Sequence, residues 1–347
     1  MRKLLIPGTL LFLMILSGCV SVEDMATARL AEMLSSESTG SVFSGDEDPV
    51  LVGDALPVIL KMYEILLASR PEDPALNAAT GKNFIMYANA YIQTPAGMLP
   101  DEDFRESRAM LSRAKQMYLR GRNYLFTSLE LTRPGFLSLL KGEDLDPLLS
   151  LFTRQEDADL LYWCASSWIA AYSCDPFDFE LAAGLAVPVA LLFRGLQLNP
   201  EYNRGAIHDV LIQVYASLPE AHLEKARIHS PAVLAPFLDS LYRNSGDDGS
   251  REFRARFHFE ASTALSGGTL PGPYIALAQG ICIPAQDSEE FLRLLTLASE
   301  IDPEEHPENR LAVRISRDKA LWLLEHVEDY FLLDIPEDFN SHEEVYP

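Results

Sequence analysis

Leu56-Pro57-Val58-Ile59-Leu60-Lys61-Met62-Tyr63-Glu64-Ile65-Leu66-Leu67-Ala68-Ser69-Arg70-Pro71 is the stretch that decides the fold. Its apolar residues Leu56, Ile59, Leu60, Tyr63, Leu66 and Leu67 recur at the three- and four-residue spacing of one helix face. The stripe starts just after Gly53-Asp54 and stops at Arg70-Pro71, as helix punctuation requires. Similar stripes run over 75–92, 103–129, 157–173, 180–198, 203–217, 232–243, 251–265, 272–282, 287–301 and 308–333. Period-two alternation rich in β-branched residues is nearly absent, which excludes a sheet-based fold. The chain is therefore expected to be all-α.

Two further segments end as the first does: Phe193-Arg194-Gly195-Leu196-Gln197-Leu198-Asn199-Pro200, and Leu294 to Pro303. Each is a helix closed by proline and followed by another helix. The pattern resembles the second helix of a tetratricopeptide repeat, where proline stops one helix and the next packs back as a hairpin. After Pro71, the small Gly81 would permit close helix approach, whereas Ala206, Asp209, Val210 and Gln213 after Pro200 match the repeat poorly. The prolines at 71, 200 and 303 keep no common period, so the expected architecture is one domain of antiparallel helix pairs, degenerate tetratricopeptide-like repeats in an α-solenoid-like array. Unrelated helices in a bundle are the alternative.

The chain has 347 residues, 48% hydrophobic, and carries 51 acidic against 28 basic side chains for a formal charge of −23. Such apolar content excludes a disordered chain, and the acidity, with no Lys/Arg-rich run, argues against a nucleic-acid partner. At the start, Met1-Arg2-Lys3 precedes an apolar run from Leu4 to Leu16, a signal-peptide pattern too short to span a bilayer. The run closes on Leu16-Ser17-Gly18-Cys19, which resembles the lipobox of bacterial lipoproteins, with Cys19 as the lipidated first residue of the mature chain. Several acyl chains exceed the two-signal threshold for stable attachment, so a periplasmic protein anchored to the membrane without spanning it is expected. Val20-Ser21 lacks the Asp that retains some lipoproteins at the inner membrane, a hint towards the outer one. The expected division is a signal peptide at 1–18, a lipid-anchored tether at 19–48, a helical domain at 49–335 and a tail at 336–347. Within the tether, 24–34 could form a short helix. Cys164, Cys174 and Cys282 remain after Cys19, so at most one disulfide can form; Cys164 and Cys174 suit a short bridge, and buried free thiols are the other reading.

Motifs whose spacing has a catalytic mechanism are missing. There is no G-x-S-x-G elbow or H-E-x-x-H helix, and Gly81-Lys82-Asn83 lacks the rest of a phosphate loop. The seven histidines are dispersed and no cysteine spacing suits a metal, so no enzyme activity, metal or cofactor is expected. Candidate binding residues come instead from clusters. Tyr162, Trp163 and Trp168 lie on one small-residue helix, where either both tryptophans are packing anchors or one lines a groove. Asn89 between Tyr87 and Tyr91 either caps a turn or points into a cleft, and His208 in Gly205-Ala206-Ile207-His208-Asp209 opens a helix. Arg113, Arg120 and Arg122 form a basic patch in an acidic body, for which salt bridges are the default.

With these residues in view, the sequence resembles the T component of tetratricopeptide-repeat-associated TRAP transporters, a family of periplasmic lipoproteins. The likeness is carried by Phe43 to Pro49 with Val52-Gly53-Asp54; Thr80-Gly81 to Ala90; Arg113-Ala114-Lys115, Tyr118 and Arg120-Gly121-Arg122; Leu161-Tyr162-Trp163 with Trp168; Gly205 to Asp209; Gly272-Pro273-Tyr274; and Gln286 to Phe291 running on to Trp322-Leu323-Leu324. One departure is the interposed segment Ser230 to Gly249, with an apparent extra helix, before Arg254-Ala255-Arg256-Phe257-His258-Phe259. The resemblance implies an all-helical protein, self-association as a trimer with a central pore, a cleft in each protomer, and the periplasmic solute-binding subunit of the transporter as partner. The function expected is a non-enzymatic accessory lipoprotein that docks that subunit and holds an apolar or amphipathic organic-acid ligand. Asn89, Tyr162, Trp163, Trp168 and His208 are the cleft candidates. A scaffold lipoprotein for envelope assembly is the rival reading.

Overall fold

Capping chemistry sets the first elements. In the computed structural model, which describes residues 22–243 and 245–331, helices α1 (Val22–Leu34) and α2 (Glu37–Ser44) precede α3 (Pro49–Ser69). The Asp48 carboxylate accepts the N–H groups of Val50 and Leu51 at 2.9 and 3.1 Å, and Pro49 sits in the first turn, where its missing N–H costs nothing. The next helix, α4 (Pro74–Ala88), repeats the device with Asp73 accepting from Leu76 N–H at 3.0 Å. Between them, Arg70-Pro71 ends α3 where the sequence predicts, but the helix starts at Pro49, capped by Asp48, rather than after Gly53-Asp54, which lies inside it.

The longest helix, α5 (Phe104–Thr132), packs against α4 on one side and α6 (Asp157–Cys174) on the other. Gly81 and Gly121 meet where α4 crosses α5. A methyl at either would stand 2.7 Å from the other's carbonyl oxygen, so the approach needs two bare backbones. Helix α7 (Ala186–Leu198) covers α6, and α8 (Ala206–Ser217), α9 (Glu220–Ile228), α10 (Ala235–Leu241) and α11 (Arg251–Ser266) follow, α9 against α7 and α11 against α8. Helix α12 (Gly272–Leu277) bridges α8 to α13 (Ser288–Glu300), which pairs with α14 (Arg310–Glu325). The last helix then packs back onto α2 and α3, with Arg310 Nη1 donating to the Gly45 carbonyl at 2.9 Å. The described chain is all-helical, a solenoid-like array of helix pairs whose last pair meets its first.

Several expectations change in detail. Within the tether expected over 19–48, the short helix expected at 24–34 is α1, and both α1 and α2 pack against the body. In α1, Ala31 is buried with Tyr63, Leu66, Leu67 and Leu76, and Tyr63 Oη donates to the Leu34 carbonyl at 2.7 Å. The stripe at 180–198 is divided at Gly184, which passes so close under Trp168 that a methyl would meet the indole at 2.5 Å. Asn203, Arg204 and Gly205 take left-handed conformations before α8, so the helix begins at Ala206 rather than at 203. Helix α9 carries too much charge to show a stripe and was not expected; its Ala226 is buried. Cys164, Cys174 and Cys282 are buried free thiols, and no bridge joins the first two. Cys19, the leader and the tail at 336–347 lie outside the described residues.

Candidate functional site

Two helices change pitch at matching places. After α4, residues Asn89–Gln93 form a π turn that leads into Thr94-Pro95-Ala96; after α12, Ala278–Cys282 do the same before Ile283-Pro284-Ala285. A helical proline clashes with the carbonyl four residues earlier and donates no hydrogen bond, and widening the preceding turn relieves both faults. The two π turns face one another across a cavity of about 380 Å³, to which they contribute Asn89, Gln279 and Gly280. Gln213, Ser217, Ser316 and Lys319 complete its polar wall.

That polar lobe adjoins a larger one of about 690 Å³, and Asn89 and Ser316 line both. The larger lobe lies where the ends of the array meet, between α2, α3, α4, α6 and α14, and Leu56, Met86, Trp163, Leu311 and Ile315 give it an apolar wall. At its edge Lys82 Nζ pairs with Asp159 at 2.5 Å, and Tyr202 Oη donates to the same carboxylate at 2.9 Å. The Tyr91 hydroxyl is buried with no hydrogen-bond partner among the described residues, and burial, then Asp46 and Asp48, push its pKa up to about 12. Bare Gly53 makes room for that ring, since a methyl there would touch Cε1 at 2.7 Å. A largely apolar compartment with a few convergent polar groups is the usual form of a small-molecule site.

The candidate residues divide. Asn89 stands at the junction of the lobes, and Trp163 lines the larger one. Tyr162 is behind the wall, its ring 5.3 Å from those of Trp163 and Tyr202. Trp168 faces away, packed edge-on against Phe126 with the Arg122 guanidinium 4.6 Å over its face, so it is a packing anchor. His208 is in the core: its Nδ1 lies 2.8 Å from His258 Nδ1, one ring donating to the other, and His258 Nε2 is 2.9 Å from the Tyr242 hydroxyl. Burial depresses the pKa of His208 to about 4, and burial with the neighbouring ring holds His258 well below the ordinary value, so both are neutral. Of the three arginines, Arg120 pairs with Glu64 and Arg113 donates to Tyr87 Oη at 3.3 Å, while Arg122 stacks on rings.

Tyr91, Lys82, Asp159, Tyr202 and the α14 face Ala312, Ile315, Ser316 and Lys319 were not singled out from sequence. Their only sequence signal is the helical spacing of that face, whose polar members break an apolar stripe. Burial raises all three cysteine pKa values, Cys174 to about 11 and Cys282 to about 12, so these thiols are not ready thiolates. Among the described residues no cluster of His, Cys, Asp and Glu could hold a metal ion, and no helix is long and apolar enough to cross a membrane.

Comparison with known proteins adds two findings. The sequence model of a family described as TRAP transporter T-component matches residues 45–233 and 242–331. An uncharacterized protein of Treponema pallidum (strain Nichols) is 35% identical over 294 residues, 84% of this chain and 83% of its own length. The gap in the family match coincides with α10, the extra helix that the sequence places between Ser230 and Gly249.

Proposed function

We propose, from the premise that the chain belongs to the TRAP transporter T-component family, that it serves a TRAP-type uptake system as an accessory lipoprotein. It docks the periplasmic solute-binding subunit and holds an apolar or amphipathic organic-acid ligand in the two-lobed cavity. Support for the ligand comes from the cavity itself, a large apolar lobe beside a polar one, with Asn89 and Ser316 lining both. Cys19 carries the lipid anchor, and the acidic body stands off anionic lipid. Self-association, for which the family resemblance implies a trimer, is supported by Leu51, Val58, Met62 and Ile65, an exposed apolar stripe along one face of α3. Three copies held together would raise the local concentration of bound solute-binding subunits at the membrane.

Affinity capture of the full chain from detergent-extracted envelopes, with its molar mass taken by light scattering, tests this reading. Recovery of a solute-binding protein by a multimer supports it. A monomer that retains envelope-assembly factors, or nothing, sinks the transport assignment.

A further inference from the structure

Helix α14 carries one continuous inner face through both lobes. Ala312, Ile315, Ser316 and Lys319 follow the i, i+3, i+4, i+7 rule, the first two on the apolar lobe and Lys319 on the polar one, with Ser316 shared. The axial rise from Ala312 to Lys319 is about 10 Å, so an elongated molecule lying along α14 has its two ends in environments of opposite character.

Lys319 makes no hydrogen bond or ion pair among the described residues, although the chain has nearly two carboxylates for every basic group. The remaining wall of its lobe includes Asn89, Gln213, Ser217, Gln279 and Ser316, all neutral, and no other titratable side chain. Lys319 is half-buried, and an ammonium partly withdrawn from water with no counterion beside it favours an anion that enters the lobe. Burial has lowered its pKa to about 8, which leaves it mainly charged at pH 7.

We infer that Lys319 is the specificity-determining residue of the cavity and takes the anionic head of a single-chain amphiphile whose alkyl tail lies in the apolar lobe. Tyr91, with its unpaired hydroxyl, and Trp163 border the tail. Head recognition is a lysine point charge among amide and hydroxyl groups, so it accepts a carboxylate or a phosphate and rejects a cation. This inference rests on the reading of the cavity as a ligand compartment.

The test uses the full chain in mild detergent and four probes below their micelle concentrations: dodecanoate, dodecyl phosphate, dodecan-1-ol and dodecyltrimethylammonium. Affinities are taken by calorimetry for wild type, Lys319→Met and Lys319→Arg. Wild type is expected to bind at least one anionic probe about tenfold or more tighter than the alcohol, and the trimethylammonium probe weakest. Lys319→Met should lose the preference while keeping the alcohol affinity, and Lys319→Arg should retain it. Tighter binding of dodecanoate assigns a free acid, and of dodecyl phosphate a lipid headgroup. Alcohol binding without anionic preference in wild type, or a preference that survives Lys319→Met, overturns the role of Lys319 alone. No binding of any probe overturns the ligand compartment as well. The wild-type head-group series decides the matter even where a variant folds poorly.

Discussion

Gly81→Ala and Gly121→Ala probe the contact that sets α4 against α5, and through α4 the position of Asn89 and Tyr91 at the cavity. In an isolated helix either change stabilises by about 1 kcal/mol, because alanine restricts the unfolded chain and favours the helix. Here the Gly81 methyl would lie 2.7 Å from the Gly121 carbonyl oxygen and 2.8 Å from Leu125 Cγ, and the Gly121 methyl 2.7 Å from the Gly81 carbonyl oxygen and 2.8 Å from Ile85 Cγ1. Backbone cannot rotate out of the way as a side-chain tip can, so the helices must separate. Overpacking of this kind costs roughly 1–3 kcal/mol, and a backbone collision belongs at the upper end. The net expectation for each variant is a loss of about 1–2 kcal/mol, read from the urea midpoint by circular dichroism with an unchanged slope. Both methyls push the same pair of helices apart, so the double variant should lose less than the sum of the two. Stabilisation near 1 kcal/mol by either change would show that propensity alone acts there and would refute the close approach. Strict additivity would refute the shared contact.

The two tryptophans should separate by assay. Trp163→Ala is expected to weaken an alkyl probe with helicity and urea midpoint nearly unchanged, whereas Trp168→Ala should cost roughly 3–5 kcal/mol of stability, because it empties the space between Phe126, Arg122 and Gly184; the reverse pattern would exchange their roles. Burial raises the Asp209 carboxyl from 3.8 to about 7 against the lowering effect of its Ser262 hydrogen bond, so between those values the folded protein keeps a proton that the unfolded chain has released. The stability contributed by this group is therefore present below about pH 4, lost as pH rises towards 7, and level above. Urea midpoints at pH 5 and 8 should show wild type losing more than Asp209→Asn across that interval, and parallel losses would contradict the buried carboxyl. Val58→Glu places a charge in the exposed stripe of α3 and should reduce a multimer to a monomer by light scattering while the helix content stays the same; an unchanged mass would move the subunit contact elsewhere.

Helix identity was legible wherever one face is apolar and the ends are punctuated. Arg70-Pro71 shows a helix end as plainly in sequence as in structure and Gly81 reads as a close approach, whereas the start of α3 reads too late, after Gly53-Asp54, because the Asp48-Pro49 cap precedes the apolar stripe. Helix α9 was hidden because its few apolar residues are scattered among charges and it needs α7 to cover Ala226. The packing of Val22 to Ser44 was hidden too, since Ser- and Glu-rich sequence resembles a linker until Tyr63 and Leu76 supply the surface for Ala31. Asn89 and Trp163 were found from composition, but the same reasoning named Trp168 and His208, which point the other way.

Periodicity, caps and proline punctuation act over a few residues, so the sequence by itself determined an all-α chain of helix pairs and the place of the inserted helix. Only the tertiary structure decided that α14 returns to α2 and α3, that two π turns 189 positions apart share a wall, and that Lys319 stands without a counterion among the described residues. Those facts depend on which groups meet across long sequence separations. Local spacing specifies the face of a helix, and the closure of the array specifies what that face meets.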